Sequence, residues 1–185
     1  MIINRMKTIL SNTQLKEKKR RDRALKFLRN KITGKDADKR RYDNMPRIGH
    51  VYFYRYLAKG RKDLPYWDAS PVIICVNRLR DGFQGLNMHY VPPRVRNHLF
   101  SILNNYAVGA KTETKRMQIS YDILKNAAGA KAFKPCFKRY LYPQVRSKFE
   151  HIPYDSWEDV IMMPLANWQG ASQGTVYAHS KKRMM

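Results

Sequence analysis

Hydrophobic and polar positions alternate along the chain from His50 onward. In Val51-Tyr52-Phe53-Tyr54-Arg55-Tyr56-Leu57 one face carries Val51, Phe53 and Leu57 and the other Tyr52, Tyr54 and Tyr56. A period of two in β-branched and aromatic residues marks a strand with two unlike faces. Val72-Ile73-Ile74-Cys75-Val76 is apolar at every position, which predicts a strand covered on both sides and opened by Pro71. Asn77–Gly82 contains an Asp-Gly pair that turns the chain back into a third strand over 83–91, where Gly85 marks a bulge or a close backbone approach. Three successive strands with short connections predict an antiparallel meander. It is expected to stay a sheet or to close as a small, SH3-like barrel.

Elsewhere the period lengthens. Residues 13–32 read as a helix capped by Asn12 or Thr13, with Leu25, Leu28 and Ile32 on one stripe, Ala24 beside it, and Thr33-Gly34 as the stop. Residues 35–47 form a polar linker ending at Met45-Pro46. Pro93 suits the first turn of a helix through Asn105, whose inner face carries Val95, Leu99, Ile102, Leu103 and Tyr106. A connection over 107–116, a short helix over 120–128 and a helical turn over 135–141 follow. Residues 145–152 fit a strand or a helix equally. Asp155-Ser156-Trp157-Glu158 resembles a capping box and starts a helix into Met163, which Pro164 ends. The expected architecture is α+β: a basic helical arm and linker over 1–44, then a domain over 45–185 in which C-terminal helices back the sheet and a basic tail closes the chain.

Charge changes this picture most. The 185 residues carry 37 Lys and Arg against 14 Asp and Glu, a formal net of +23. Such a surface repels itself unless an anion sits against it, which points to nucleic acid, an acidic membrane or an acidic protein. Residues 1–48 hold 16 basic and five acidic residues, a net of +11, so the remainder is still at +12. The densest runs contain Lys18, Lys19, Arg20, Arg21 and Arg23, and then Lys39, Arg40 and Arg41. Blocks of this kind are commonly solvated arms that order against phosphate. A basic body behind a more basic arm suits nucleic acid better than a localisation signal attached to a neutral domain.

Composition excludes other classes. Hydrophobic residues at 43% and twelve tyrosines are enough for a core, which argues against disorder throughout. Cys75 and Cys136 lie far apart in apolar surroundings, as buried thiols of a reducing compartment do. No run of 18 apolar residues occurs and the opening ten residues are too polar for a secretory signal, so the protein is expected inside a cell (the host cytoplasm, if viral) or packaged in a particle. No segment pairs a basic face with a broad apolar one, and no membrane role is expected.

Chemistry-bearing motifs are few. There is no Gly-rich phosphate loop, no dinucleotide fingerprint and no zinc spacing. Asp155, Glu158 and Asp159 form the best carboxylate cluster for a magnesium ion, and they equally suit a helix start. His89 suits a general base or a phosphate contact, or else a polar position on a strand; no carboxylate stands near it in sequence, and the other histidines look equally isolated. No enzymatic activity, catalytic residue, metal, cofactor or small-molecule substrate is expected. The tyrosine face allows two readings. Left open, it is a platform on which unpaired bases stack at about 1–3 kcal/mol each; alternatively, one of the C-terminal helices covers it. Lys59, Arg61 and Lys62 form the tip of a loop that Pro65 stiffens and that Tyr66 and Trp67 pin to the body. With Arg55 and Arg94 they are the candidate phosphate contacts of the domain, and Arg78, Arg80 and Arg96 extend the same surface or remain solvated.

A family likeness rests on several of these segments. Gly49-His-Val-Tyr-Phe-Tyr-Arg-Tyr56, Leu64-Pro-Tyr-Trp-Asp68, Pro71-Val72 and Gly82-Phe-Gln-Gly-Leu-Asn-Met-His-Tyr90 resemble stretches of small basic proteins of T4-like tailed bacteriophages. Phe133-Lys-Pro-Cys-Phe-Lys-Arg-Tyr-Leu141 and Val145-Arg-Ser-Lys-Phe149 are similar to a later part of those proteins, so that the likeness spans about residues 45–183 and leaves the arm outside. It implies a place in virion assembly or in the protection of packaged DNA ends, and transfers no catalytic residue. The expected function is therefore nucleic-acid binding, with DNA favoured and little sequence selectivity, in genome packaging, DNA-end protection or particle assembly. The alternative is a structural virion component, a head, neck or baseplate subunit whose basic surface meets acidic partner subunits.

Overall fold

The all-apolar run Val72–Val76 lies where a strand covered on both sides must lie, inside a sheet. The computed structural model describes residues 15–16, 18–26, 42–93, 95–99, 101, 133–153 and 156–184. Its strands are β1 (Tyr42–Asp43), β2 (Val51–Phe53), β3 (Trp67–Asp68), β4 (Val72–Arg78), β5 (Gly82–Asn87), β6 (Phe137–Leu141), β7 (Phe149–Ile152) and β8 (Trp168–Gln169). Six of them form one antiparallel sheet in the order β1-β7-β2-β4-β5-β6, and β3 pairs with β8 in a separate ribbon. Two helices follow the sheet, α1 (Trp157–Met162) and α2 (Gln173–Met184). The expected α+β class is what the chain builds.

Register explains the two faces. Val51 pairs with Ile74 and Ile152, and Ile74 with Leu86, so these side chains share one face. There they pack with Leu99, Trp157, Val160, Ile161 and Val176 in an aliphatic core under the helical segments. One residue further along each strand, Tyr52 and Ile73 belong to the opposite face. Tyr52, Tyr54, Ile73, Cys75, Phe83, Tyr140 and Phe149 form a second, largely aromatic core there. Tyr54 has its ring centroid 5.0 Å from Phe149, 5.6 Å from Tyr140 and 5.7 Å from Phe83. Each such pair contributes about 0.5–1.5 kcal/mol beyond its buried area.

The tyrosine face is thus covered, and not by a C-terminal helix as expected. The sheet covers it by curling. The chain leaving β6 runs through a 3-10 turn at Tyr142–Gln144 and returns to the extension of β2, where the Leu57 amide donates to Gln144 O at 3.0 Å and the Arg146 amide to Arg55 O at 2.8 Å. A single bridge joins Tyr56 and Val145. The edge strands β1 and β6 do not pair with each other, so among the described residues the barrel does not close.

Several local expectations need correction. The third strand ends at Asn87, because the Asn87 side chain accepts the His89 amide and starts a 3-10 turn at Met88–Tyr90. Gly85 marks a close approach: a Cβ there would stand 2.8 Å from Ile73 Cδ1, while the bulge itself falls opposite, in β4 between Cys75 and Asn77. The turn over 135–141 is helical only at Lys134–Cys136 and then becomes β6. Residues 145–152 resolve to a strand, β7. Tyr42–Asp43, within the span read as linker, is an edge strand tied down by the Tyr52 hydroxyl, which donates to Asp43 at 2.5 Å. Helix α1 has Ser156 at its N-cap with no side-chain capping bond, and the Asp155 of the expected capping box lies outside the described residues; Glu158 and Asp159 sit in its first turn, where negative charge meets the helix dipole. The described parts of 13–32 and 93–105 are helical, and the helix expected over 120–128 lies outside the described residues. No described helix is long and apolar enough to cross a membrane.

Candidate nucleic-acid interface

The loop after β2 is held to the body at its far end. Asp68 and Trp67 pair with Trp168 and Gln169, and Gly170 follows at φ +86°. A Cβ at Gly170 would stand 2.7 Å from Pro65 O, so only glycine lets this turn lie against the loop. The Tyr66 and Trp168 rings meet edge-on at 6.0 Å, and Tyr90 meets Trp168 at 4.7 Å. Tyr66 and Trp67 therefore do pin the loop, and the same contacts make one wall of a cleft of about 600 Å³.

The cleft joins elements distant in sequence: the loop 59–67, β6, the turn at Tyr90 and the last turn of α2. Its aromatic surface comes from Tyr56, Tyr66, Trp67, Tyr90 and Tyr140, and its cations are Lys59, Lys138, Arg139 and Arg183. Two of these are distinct in kind. Arg139 is spent on Asp81 in a bridge of 2.7 Å. Lys138 sets its ammonium 4.1 Å over the centre of the Tyr90 ring, and among the described residues neither it nor Arg183 forms an ion pair. Burial, and then the neighbouring Arg183 charge, pull the Lys138 ammonium down to about 8.

Behind the cleft lies a buried polar network. His89 Nδ1 bonds Asp68 Oδ2 at 2.6 Å, with both side chains almost fully buried. Asn87 donates to the same oxygen, and the amides of Ser70 and Asn167 donate to Asp68 Oδ1. Burial alone would raise the Asp68 carboxyl, but the His89 imidazole and these hydrogen bonds outweigh it and hold the group below the usual carboxylate range. His89 thus has the carboxylate partner its sequence neighbourhood lacked, 21 residues away. His50 is not isolated either, since its Nδ1 lies 3.0 Å from His151 Nε2; burial, then the Arg47 and His151 charges, bring it down to about 4. Cys75 and Cys136 are free, buried thiols pushed up to about 12 by burial.

Of the residues predicted from sequence, Lys59 lines the cleft, and Arg61 and Lys62 stand exposed on the same loop. Arg55 is exposed beside the returning turn, its amide donating to Ser147 Oγ at 2.9 Å. Lys18, Lys19, Arg20, Arg21 and Arg23 lie on a helical segment whose Ala24 and Leu25 pack on the aliphatic core. Arg21 donates to Asn167 Oδ1 at 2.7 Å, and Arg20 and Arg23 line a gap that Glu158 and Asp159 face from α1. Lys39, Arg40, Arg41 and Arg94 lie outside the described residues. Arg96 is a correction. It turns inward at 4% exposure and donates to Val91 O, Ile161 O and the Tyr177 hydroxyl, because a buried guanidinium needs every acceptor within reach.

Sequence reasoning missed Lys138, Arg183 and the wall formed by Tyr90 and Tyr140. A Lys-Arg-Tyr triplet on a strand and a basic run at a helix end were visible signals, but nothing joined them.

Cations set among aromatic rings that line a cleft are the combination by which proteins hold unpaired bases together with their phosphates. Comparison with protein families matches residues 1–184 to one described as phage T4 terminal DNA protecting protein. The chain belongs to that family, and the match takes in the basic arm that the sequence likeness had left outside. No curated protein and no solved structure matches the chain.

Proposed function

We propose that the protein binds the ends of linear phage DNA and shields them physically, without chemistry of its own. The observation that carries this reading is the cleft: Lys138 and Arg183, unpaired among the described residues, beside a wall of aromatic rings. Family membership supports a role at DNA ends. The exposed Lys18, Lys19, Arg55, Arg61 and Lys62, with the basic stretch over 39–41, supply phosphate contacts along the duplex behind the end, which makes residues 1–41 an electrostatic arm and the part from β1 onward the end-binding domain. Such contacts are indifferent to sequence and release counterions.

The test is exonuclease protection. Purified protein should slow digestion of linear DNA by a processive exonuclease in proportion to its occupancy of ends, and closed circular DNA should compete poorly. With about five or six phosphates neutralised, log K should fall with log salt at a slope near −5. A slope near zero, or equal competition by circles, removes the reading. The alternative, a structural subunit answering acidic partners, draws on Arg20 and Arg23, which already face Glu158 and Asp159 of their own fold. Such a subunit would co-purify with particles and bind free DNA no better than a generic polycation does.

A further inference from the structure

We infer that the cleft seats the terminal nucleotide of a DNA end, with its terminal phosphate monoester between Lys138 and Arg183 and its base against Tyr66 and Trp67; this rests on the DNA-end reading and adds the chemical group that is recognised.

Size argues for one nucleotide. A cavity of about 600 Å³ lies within the range that takes a small ligand and admits no duplex. A base must therefore leave its pair to enter, which is cheapest where the strand is already frayed, at an end. Once inside, the unpaired base recovers stacking on an aromatic wall, and Tyr66 and Trp67 line the cleft where the loop is fixed by the pairing of β3 with β8.

Charge argues for a monoester. Both carboxylates on the cleft wall are committed, Asp81 to Arg139 and Asp68 to His89. Of the cations that remain, Lys59 stands exposed on the loop, while Lys138 and Arg183 are like charges brought together with the Tyr90 ring beneath Lys138. Two adjacent cations without an anion are costly to hold, and a bound anion between them removes that cost. An internal phosphodiester carries one negative charge. A phosphate monoester, with its second ionisation near pH 6, carries about −1.5 to −2 at neutral pH and matches the pair. Lys138 and Arg183 also border a second hollow of about 390 Å³, where Lys134 adds a further cation for the next phosphate along the strand.

Binding of fluorescent hairpin duplexes with a single open end tests this. The end carries a 5′-phosphate, a 3′-phosphate or hydroxyls alone, and closed circular plasmid serves as competitor. At pH 7 one of the two phosphorylated ends should bind at least tenfold more tightly than the hydroxyl end, which also identifies the strand terminus that enters. In K138Q and in R183Q, each first shown to melt cooperatively, the advantage should shrink to about twofold or less while linear DNA still outcompetes circles. Equal binding of all three ends by the wild-type protein overturns the inference, as does a phosphate advantage that survives in both variants. Loss of the linear-over-circular preference in the wild type instead removes the DNA-end reading itself.

Discussion

The 3-10 turn at Met88–Tyr90 borders two groups of basic side chains, and the fold treats them in opposite ways. On one side the partners come from within the fold, save that the buried His89 Nε2 has none among the described residues. His89 meets Asp68, and Arg96 meets two carbonyls and a phenol. On the other side Lys138 rests over the Tyr90 ring with Arg183 for a neighbour and no carboxylate partner among the described residues. The first group is part of what holds the molecule together; the second works against it. Density of charge therefore does not locate a binding site in so basic a chain. Lack of internal compensation does, because a cation held without a partner costs stability that only an external anion returns.

The comparison breaks most easily at Asp68. Asp68→Asn leaves a histidine, the Asn87 side-chain amide and two backbone amides facing a neutral group, and should cost about 3–5 kcal/mol in urea denaturation. Because the Asp68 carboxyl is held below its usual value, its contribution is complete above the unfolded value near 4 and is lost as pH falls through the lower folded value. A variant as stable as the wild type would show that this side is not structural.

Arg96→Met should cost less, about 1–3 kcal/mol by the same measurement. The guanidinium leaves, but Val91 O, Ile161 O and the Tyr177 hydroxyl lose their donors.

On the opposite side the sign should reverse. Lys138→Met should raise stability by about 1 kcal/mol and the melting temperature by a few degrees in the absence of DNA, while weakening its binding. The sign follows from the depressed ammonium: the unfolded chain holds this proton up to about pH 10 and the folded chain only to about 8. Stability of the wild-type protein should accordingly rise with pH across that window, a slope the variant lacks. Affinity for phosphorylated ends should fall across the same window as Lys138 loses its charge. A variant less stable than the wild type would mean that Lys138 is compensated after all.

The smallest effect separates cations along the N-terminal helical segment. Lys18→Gln and Lys19→Gln remove exposed charges and should each lower the salt slope by up to about 0.9. Arg20→Gln and Arg23→Gln should lower it less, since Glu158 and Asp159 face both side chains across the gap to α1.

The strands themselves could be read directly. Alternation over 51–57 placed Tyr52 and Tyr54 on one face and Val51 and Phe53 on the other, and the run from Val72 was plainly interior. Local spacing carries such information because a strand's faces repeat every second residue. What covers a face is not local. The tyrosines are enclosed by Phe83, Tyr140 and Phe149, contributed by three other strands as the sheet curls, and no periodicity within 51–57 could indicate that. Arg96 shows the same limit for charge: in sequence it is one basic residue among several, and only the acceptors that surround it make it an interior group.

What the chain alone determined is the sign and size of its charge, the presence of two-faced strands and the absence of familiar catalytic motifs. The tertiary structure decided which charges are satisfied. Asp68 reaches His89 across 21 positions, and Lys138 from a strand meets Arg183 from the end of α2, 45 positions later. Electrostatic compensation falls off with distance in space, and distance along the chain does not measure it. In a protein of net charge +23 the informative cations are those few that folding brings together and leaves unanswered.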